Sequence, residues 1–207
     1  MMRRRVTIVC LAALLAGCAV LSPKPDRSRF FMLTPIAETP GAGGDASRTV
    51  GVGPLSFPRY LDRPEMVTRI DTNEIRPAPF DYWAGSLPRQ FESVLAKDLQ
   101  ILLGGGPVQT YPWYVDRAPE LVLEAEIHRF ERAAGGQVHL AADWRLRKGA
   151  SQEILYRASS VLSGPAPDAD PQATAAALSA LVGDLSRAVA TAVRSLGPLG
   201  NQSEGRR

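Results

Sequence analysis

The chain has 207 residues, with 24 Lys and Arg against 21 Asp and Glu and a formal net charge of +3. That excess is the basic patch Arg3, Arg4 and Arg5, and without it the charges balance, so net charge gives no argument for nucleic acid or for an anionic membrane surface. Both cysteines, Cys10 and Cys18, lie at the front, so no disulfide can staple the remainder and the domain must rest on its own core.

After the three arginines comes an apolar run, Val6 to Leu15, and then Ala16-Gly17-Cys18. The run is about ten residues, half of the roughly twenty needed to cross a hydrocarbon core, so residues 1–17 read as a signal peptide that is removed. The ending Leu15-Ala16-Gly17-Cys18 resembles the lipobox of bacterial lipoproteins. That resemblance implies a diacylated thiol at Cys18, cleavage in front of it and acylation of the new amino group. Covalent lipid on Cys18 is the only non-protein group expected, and no cofactor is. Residues 18–29, with two prolines and no apolar period, read as a lipidated tether. Ala19 stands where the sorting rule of enteric bacteria would place Asp for inner-membrane retention, which points to the outer membrane.

Residues 30–197 are expected to form one domain. Phe30 to Thr34 reads as a first strand, Ile36 to Arg48 as a mobile Gly- and Ala-rich loop, and Thr49 to Leu55 as a second strand. Gly51 and Gly53 do not make a nucleotide-binding loop, because Pro54 follows and no helix opens there. Phe57 to Asp71 is dense in polar and aromatic residues, with a structured loop from Pro58 to Pro64 and a strand from Met66 to Ile70. Glu74 to Arg76 would return as a hairpin, ended by Pro77 and Pro79. Asp81 to Leu103 is predicted as the first helix, capped by Asp81 or Ser86, with Leu87, Phe91, Val94, Leu95, Leu99 and Leu102 as its apolar stripe. Glu92, Lys97 and Asp98 are expected on its polar surface, and the glycines from Gly104 stop it. Leu121 to Glu131, Gln137 to Lys148 and Glu153 to Ser163 alternate as an antiparallel meander, dry on one face and wet on the other. Asp170-Pro171 opens a second helix with the stripe Leu178, Leu181, Val182, Leu185, Val189 and Val193. Residues 198–207 read as a disordered tail. The fold class is α+β: an antiparallel or mixed sheet with two long amphipathic helices packed on one face.

No catalytic or metal-binding constellation stands out. His128 and His139 lie on adjacent strands with Glu124, Glu126 and Asp143 nearby in sequence, and surface residues of a sheet explain them better than a metal site. No nucleophile elbow, zinc-protease or Cys–His pattern is present.

Several segments carry a family resemblance: Val52-Gly53-Pro54, Pro58, Tyr60-Leu61-Asp62-Arg63-Pro64, Val67-Thr68-Arg69, Trp83 with Leu87, Leu95 to Leu99, and Tyr111-Pro112-Trp113. The sequence resembles the ABC-type transport auxiliary lipoproteins, the paraquat-inducible protein C group of membrane-integrity lipoproteins, DUF330-like. Glu65-Met66 departs from the pattern, where an uncharged polar residue and isoleucine would stand. The resemblance implies a non-enzymatic subunit in the envelope of a Gram-negative bacterium, periplasm-facing and lipid-anchored. Its partners would be an MCE (mammalian cell entry) domain protein and an associated permease and ATPase that move lipids or other hydrophobic molecules between the membranes. A homo-oligomeric ring matching an MCE ring fits the same picture.

The expected docking surface is Arg59, Tyr60, Asp62 and Arg63, with Trp83 and Trp113 as aromatic anchors, because Arg, Tyr and Trp dominate interface energetics. Against it stands a structural reading, with Asp62 and Arg63 paired in a local turn and the tryptophans in the core. Two other functions stay open. One is an outer-membrane lipoprotein of another assembly, such as an activator of cell-wall synthases. The other is a lipid-anchored hydrolase, which predicts acidic or histidine side chains clustered in a cleft. A lipid-carrying role for this chain would require an apolar cavity between sheet and helices.

Overall fold

The computed structural model describes residues 25–39, 48–114, 118–166 and 170–197. The leader, Cys18, the first part of the tether, the middle of the Gly- and Ala-rich loop and the tail lie outside them. In chain order the elements are β1 (Arg29–Phe31), β2 (Val50–Ser56), a 3-10 turn (Arg59–Leu61), β3 (Glu65–Asp71), β4 (Glu74–Trp83), α1 (Leu87–Leu102), β5 (Val108–Thr110), β6 (Leu121–Ala133), β7 (Gln137–Lys148), β8 (Ile154–Pro165) and α2 (Pro171–Ser195). The class is α+β, with one mixed eight-stranded sheet and two helices among the described residues.

β6 is the strand on which the sheet divides. One edge pairs antiparallel with β7 along nearly its whole length, and β7 pairs antiparallel with β8. The other edge is shared: its first half runs parallel to β2, from Val50 opposite Leu121 to Ser56 opposite Glu126, and its end runs parallel to β3 at Arg132 and Ala133. β5 extends the β2 branch, while β4 and then β1 extend the β3 branch. The meander follows the alternation of its side chains. Val138, Leu140, Ala142, Trp144 and Leu146 are buried, as are Leu178, Leu181, Val182, Leu185 and Val189 of α2 that share their core. α1 adds Leu87, Leu95, Leu99 and Phe91, whose ring meets Phe57 and Phe130 edge-on at 5.3 and 5.0 Å. At 1.3, the mean hydropathy of α2 is high enough for a membrane span, but the helix is mostly buried in this core.

Three segments differ from expectation. β4 continues through Pro77 and Pro79 to Trp83, so α1 begins only after Ser86. The prolines fall where pairing jumps from Val67 opposite Pro77 to Glu65 opposite Tyr82, a bulge in which the missing N–H groups break no ladder. Asp98 and Glu92 of α1 are buried, not surface residues.

The third difference is a strap. After β1 the chain crosses both helices, and their side chains grip its backbone. Leu33 N–H donates to Gln90 Oε1 at 2.9 Å, Thr34 N–H to Ser179 Oγ at 3.1 Å, and the N–H groups of Ile36 and Ala37 to Asp98 Oδ1 at 3.0 and 2.9 Å. Gly183 of α2 is where Ile36 sits, since a Cβ there would collide with the isoleucine side chain. Beyond residues 40–47, Arg48 is again fixed: its buried guanidinium donates to the carbonyls of Val193, at 3.2 Å, and of Gly197, capping the end of α2.

Candidate functional site

The residues singled out in sequence assemble into two clusters. In the first, the 3-10 turn after Pro58 places Tyr60 against β3 and β6. Its hydroxyl donates to Glu131 Oε2 at 2.8 Å, and Arg69 and Arg129 each bring Nε to 2.9 Å from Glu131 Oε1. The Arg69 guanidinium also lies 5.6 Å from the centre of the Tyr60 ring. The Glu131 side chain is fully buried. Burial alone would push its carboxyl up, but the hydrogen bonds from Arg69, Arg129 and Tyr60 hold it below the usual carboxylate range. For Tyr60, burial and then the Glu131 carboxylate push the hydroxyl up to about 12. This is a proton-inert arrangement. It clamps the turn to the sheet.

The clamp leaves part of the turn outside. Leu61 is buried, while Arg59 and Asp62 are exposed and Arg63 is half-buried. Arg63 pairs with Glu65, at 3.5 Å, a contact with the next strand where the alternative structural reading has an Asp62–Arg63 turn bridge. Pro64 accepts from the Trp83 N–H at 2.7 Å. Trp83 itself is a core residue, 4% exposed, and offers no surface to a partner.

In the second cluster, Tyr111 to Trp113 crosses β2. Tyr111 N–H donates to the Val52 carbonyl at 2.9 Å, and the rings of Tyr111 and Trp113 meet edge-on at 5.3 Å. A Cβ at Gly51 would collide with the Pro119 ring and stand 3.0 Å from the Trp113 ring, and one at Gly53, whose φ is +112°, would stand 2.7 Å from Tyr111 Cβ. Gly51 and Gly53 are therefore small for the close passage of Pro119 and these aromatics. Trp113 is half-buried and Tyr111 and Tyr114 are exposed. The two clusters do not form one surface. Trp113 lies at Gly51, which pairs with Val122, whereas Tyr60 lies at Glu131; nine residues of strand at about 3.3 Å each put them roughly 30 Å apart.

The wet face holds the acids and both histidines considered for chemistry. A concavity of about 670 Å³ is lined by Leu55, Glu124, Glu126, Asp143, Arg145 and Arg157 among others. Glu124 is paired with Arg145 and Arg147, each Nε at 2.6 Å, and although burial opposes it these bonds hold its carboxyl low. Asp143 takes hydrogen bonds from Ser159 and, at 2.9 Å, His128, which lower it as well. Ser159, Asp143 and His128 do not make a nucleophile triad, because the carboxylate stands in the middle and the imidazole meets it and not the serine. Low carboxyl pKa values are also the reverse of what a general acid needs. His139 stands on the same strand as Asp143. Among the described residues no group of three His, Cys, Asp or Glu side chains could hold a metal. The cavity under the helices lined by Leu61, Met66, Trp83, Leu87 and Leu178 measures about 10 Å³, which has room for no more than a water and none for a lipid chain.

Sequence reasoning missed Glu131 and Asp98. Asp98 follows Val94 by four residues and Phe91 by seven, so its place in the apolar stripe was the signal that it is buried. Glu131 breaks no such pattern visibly, because it lies in a run of three consecutive buried residues, Phe130, Glu131 and Arg132, near the end of the strand, where the alternation of its middle stops.

The model of the ABC-type transport auxiliary lipoprotein component family matches residues 31–190. Among solved structures, a DUF330 family protein from Xanthomonas campestris superposes with a TM-score of 0.69 at 17% identity, covering 82% of this chain and 96% of that one. An uncharacterized protein superposes with a TM-score of 0.67 at 17% identity, covering 80% and 98%. A looser likeness, TM-score 0.43 at 16% identity over 76% and 94%, is to a PelC dodecamer subunit from Paraburkholderia phytofirmans. No curated protein matches the chain.

Proposed function

From the premise that this chain belongs to the ABC-type transport auxiliary lipoprotein family, and so to the bacterial cell envelope, we propose that it is a non-enzymatic docking subunit. Acylated at Cys18 and facing the periplasm from the outer membrane, it would tie an MCE-domain protein and its permease and ATPase to that membrane. The system would move lipids or other hydrophobic molecules. One observation carries the reading: the Tyr60, Arg69 and Glu131 clamp holds a turn rigid while leaving Arg59 and Asp62 in solvent. A preorganised charged turn loses little freedom on binding, which is what a docking element requires.

Arg59→Glu with Asp62→Arg reverses both charges without touching the clamp. In an affinity pull-down from mildly solubilised envelopes, the native chain is expected to bring down an MCE protein and the double variant to lose it while keeping the native melting temperature. Equal recovery by both would remove the turn from the proposal. Recovery of cell-wall synthases in place of MCE components would replace the transport reading with the activator one.

A further inference from the structure

The N-terminal edge of the sheet carries an apolar patch that the core does not use. Phe30 is 66% exposed, Met32 60% and Phe80 48%. Phe31, between the first two, turns inward against the core, so Phe30 and Met32 point the other way by strand alternation. Phe30 lies opposite Tyr82 in the β1–β4 ladder with ring centres 5.7 Å apart, and Phe80 precedes Tyr82 by two residues on the same strand. Singly exposed apolar residues are ordinary, but two phenylalanines and a methionine beside a tyrosine are not scattered. Arg27 and Arg29 flank the patch in sequence, the second also bound to Asp81 at 2.8 Å.

We propose that this patch of Phe30, Met32 and Phe80 rests on the surface of the membrane that holds the acyl chains of Cys18. The inference rests on the lipoprotein reading above. Its geometric ground is the shortness of the connection. Cys18 precedes Pro25, the first described residue, by seven positions, which span at most about 25 Å when fully extended. A domain of about 160 residues has a radius of gyration near 15 Å and is thus roughly 40 Å across. A tether shorter than the domain is wide keeps the β1 edge, not the far end of the sheet, nearest the bilayer. Aromatic rings and a thioether are the side chains that partition into the boundary between headgroups and acyl chains, and the exposed Arg27 meets anionic headgroups beside them, while Arg29 lies over the Phe31 ring on the other side of the strand, paired with Asp81. The acyl chains supply attachment; the patch sets which way the domain faces.

Because Cys18 is consumed by acylation, a cysteine placed elsewhere can be labelled alone. Met32→Cys and Phe80→Cys, each carrying an environment-sensitive fluorophore, and Asn73→Cys, at the opposite end of β4, would be prepared as the acylated full chain. They would be reconstituted in phosphatidylethanolamine and phosphatidylglycerol vesicles with or without lipid brominated high on the acyl chain. The labels at 32 and 80 are expected to shift to the blue and to be quenched by brominated lipid, while the label at 73 does neither. Flotation with the vesicles but equal, water-like emission at all three sites would overturn the patch and leave the anchor standing. A blue shift at 32 and 80 without quenching would mean that protein covers the patch, and would also overturn the proposal. If mass spectrometry shows no acyl groups on Cys18 and the protein does not float, the anchor reading falls and this one with it.

Discussion

Glu131 is the residue on which the family-like turn depends, and its behaviour with pH follows from its partners. Because its folded-state pKa lies below the ordinary value, it stabilises the fold above the unfolded pKa, and that contribution is lost as pH falls through the lowered one. Glu131→Gln is therefore expected to cost about 1–3 kcal/mol near neutrality and to flatten the fall in stability toward acid, measured by urea unfolding from pH 7 down to pH 3. Asp98 has the opposite sign. Burial pushes its carboxyl up, against the bonds from Ala37 and Ile36, and its Oδ2 has no hydrogen-bond partner. The folded state then holds the proton more tightly than the unfolded one, so this group's contribution improves as pH falls. Asp98→Asn keeps an acceptor for the strap and removes the buried charge; it should match or exceed the native melting temperature. Asp98→Ala, which strands two amides, should lose about 1–3 kcal/mol.

At the level of elements, the strap and α2 fit through Gly183. Alanine there gains roughly 1 kcal/mol of helix propensity but drives a methyl into Ile36, and overpacking of about 1–3 kcal/mol outweighs it. Gly183→Ala is expected to destabilise the native chain and to stabilise an Ile36→Ala background. Denaturant midpoints of the four combinations read this directly, and additivity would refute the fit. The same elements show what was legible in the sequence. The meander, both apolar stripes and the Asp170 cap, whose carboxylate accepts from Ala173 N–H at 3.0 Å, obey periodicities that a single sequence displays. The strap does not, because its order comes from Gln90, Asp98 and Ser179, residues 57 to 145 positions away. Nor could Pro77 and Pro79 announce a strand, since only the bulge opposite β3 makes them tolerable there. The docking candidates divide the same way. Arg59 and Asp62 lie in solvent, whereas Tyr60 and Trp83 are held by partners distant in the chain.

For the whole molecule, one continuous core joins both helices to both branches of the sheet, and Trp83 and Trp144 sit in different parts of it. Tryptophan fluorescence and far-ultraviolet circular dichroism are expected to report one coincident urea transition; separated midpoints would mean that the branches unfold independently. The strap has a further consequence if the chain is acylated at Cys18 as proposed. Tension on the anchor enters at Arg29, is first met by a parallel ladder and an ion pair with Asp81, and then reaches four amides held in turn by α1 and α2. No single strand end bears the pull. In the proposed arrangement the route from lipid to fold would work as a splice, in which load passes into both helices before it can reach the turn at Arg59, so a tug on the membrane would leave the grip on a partner intact.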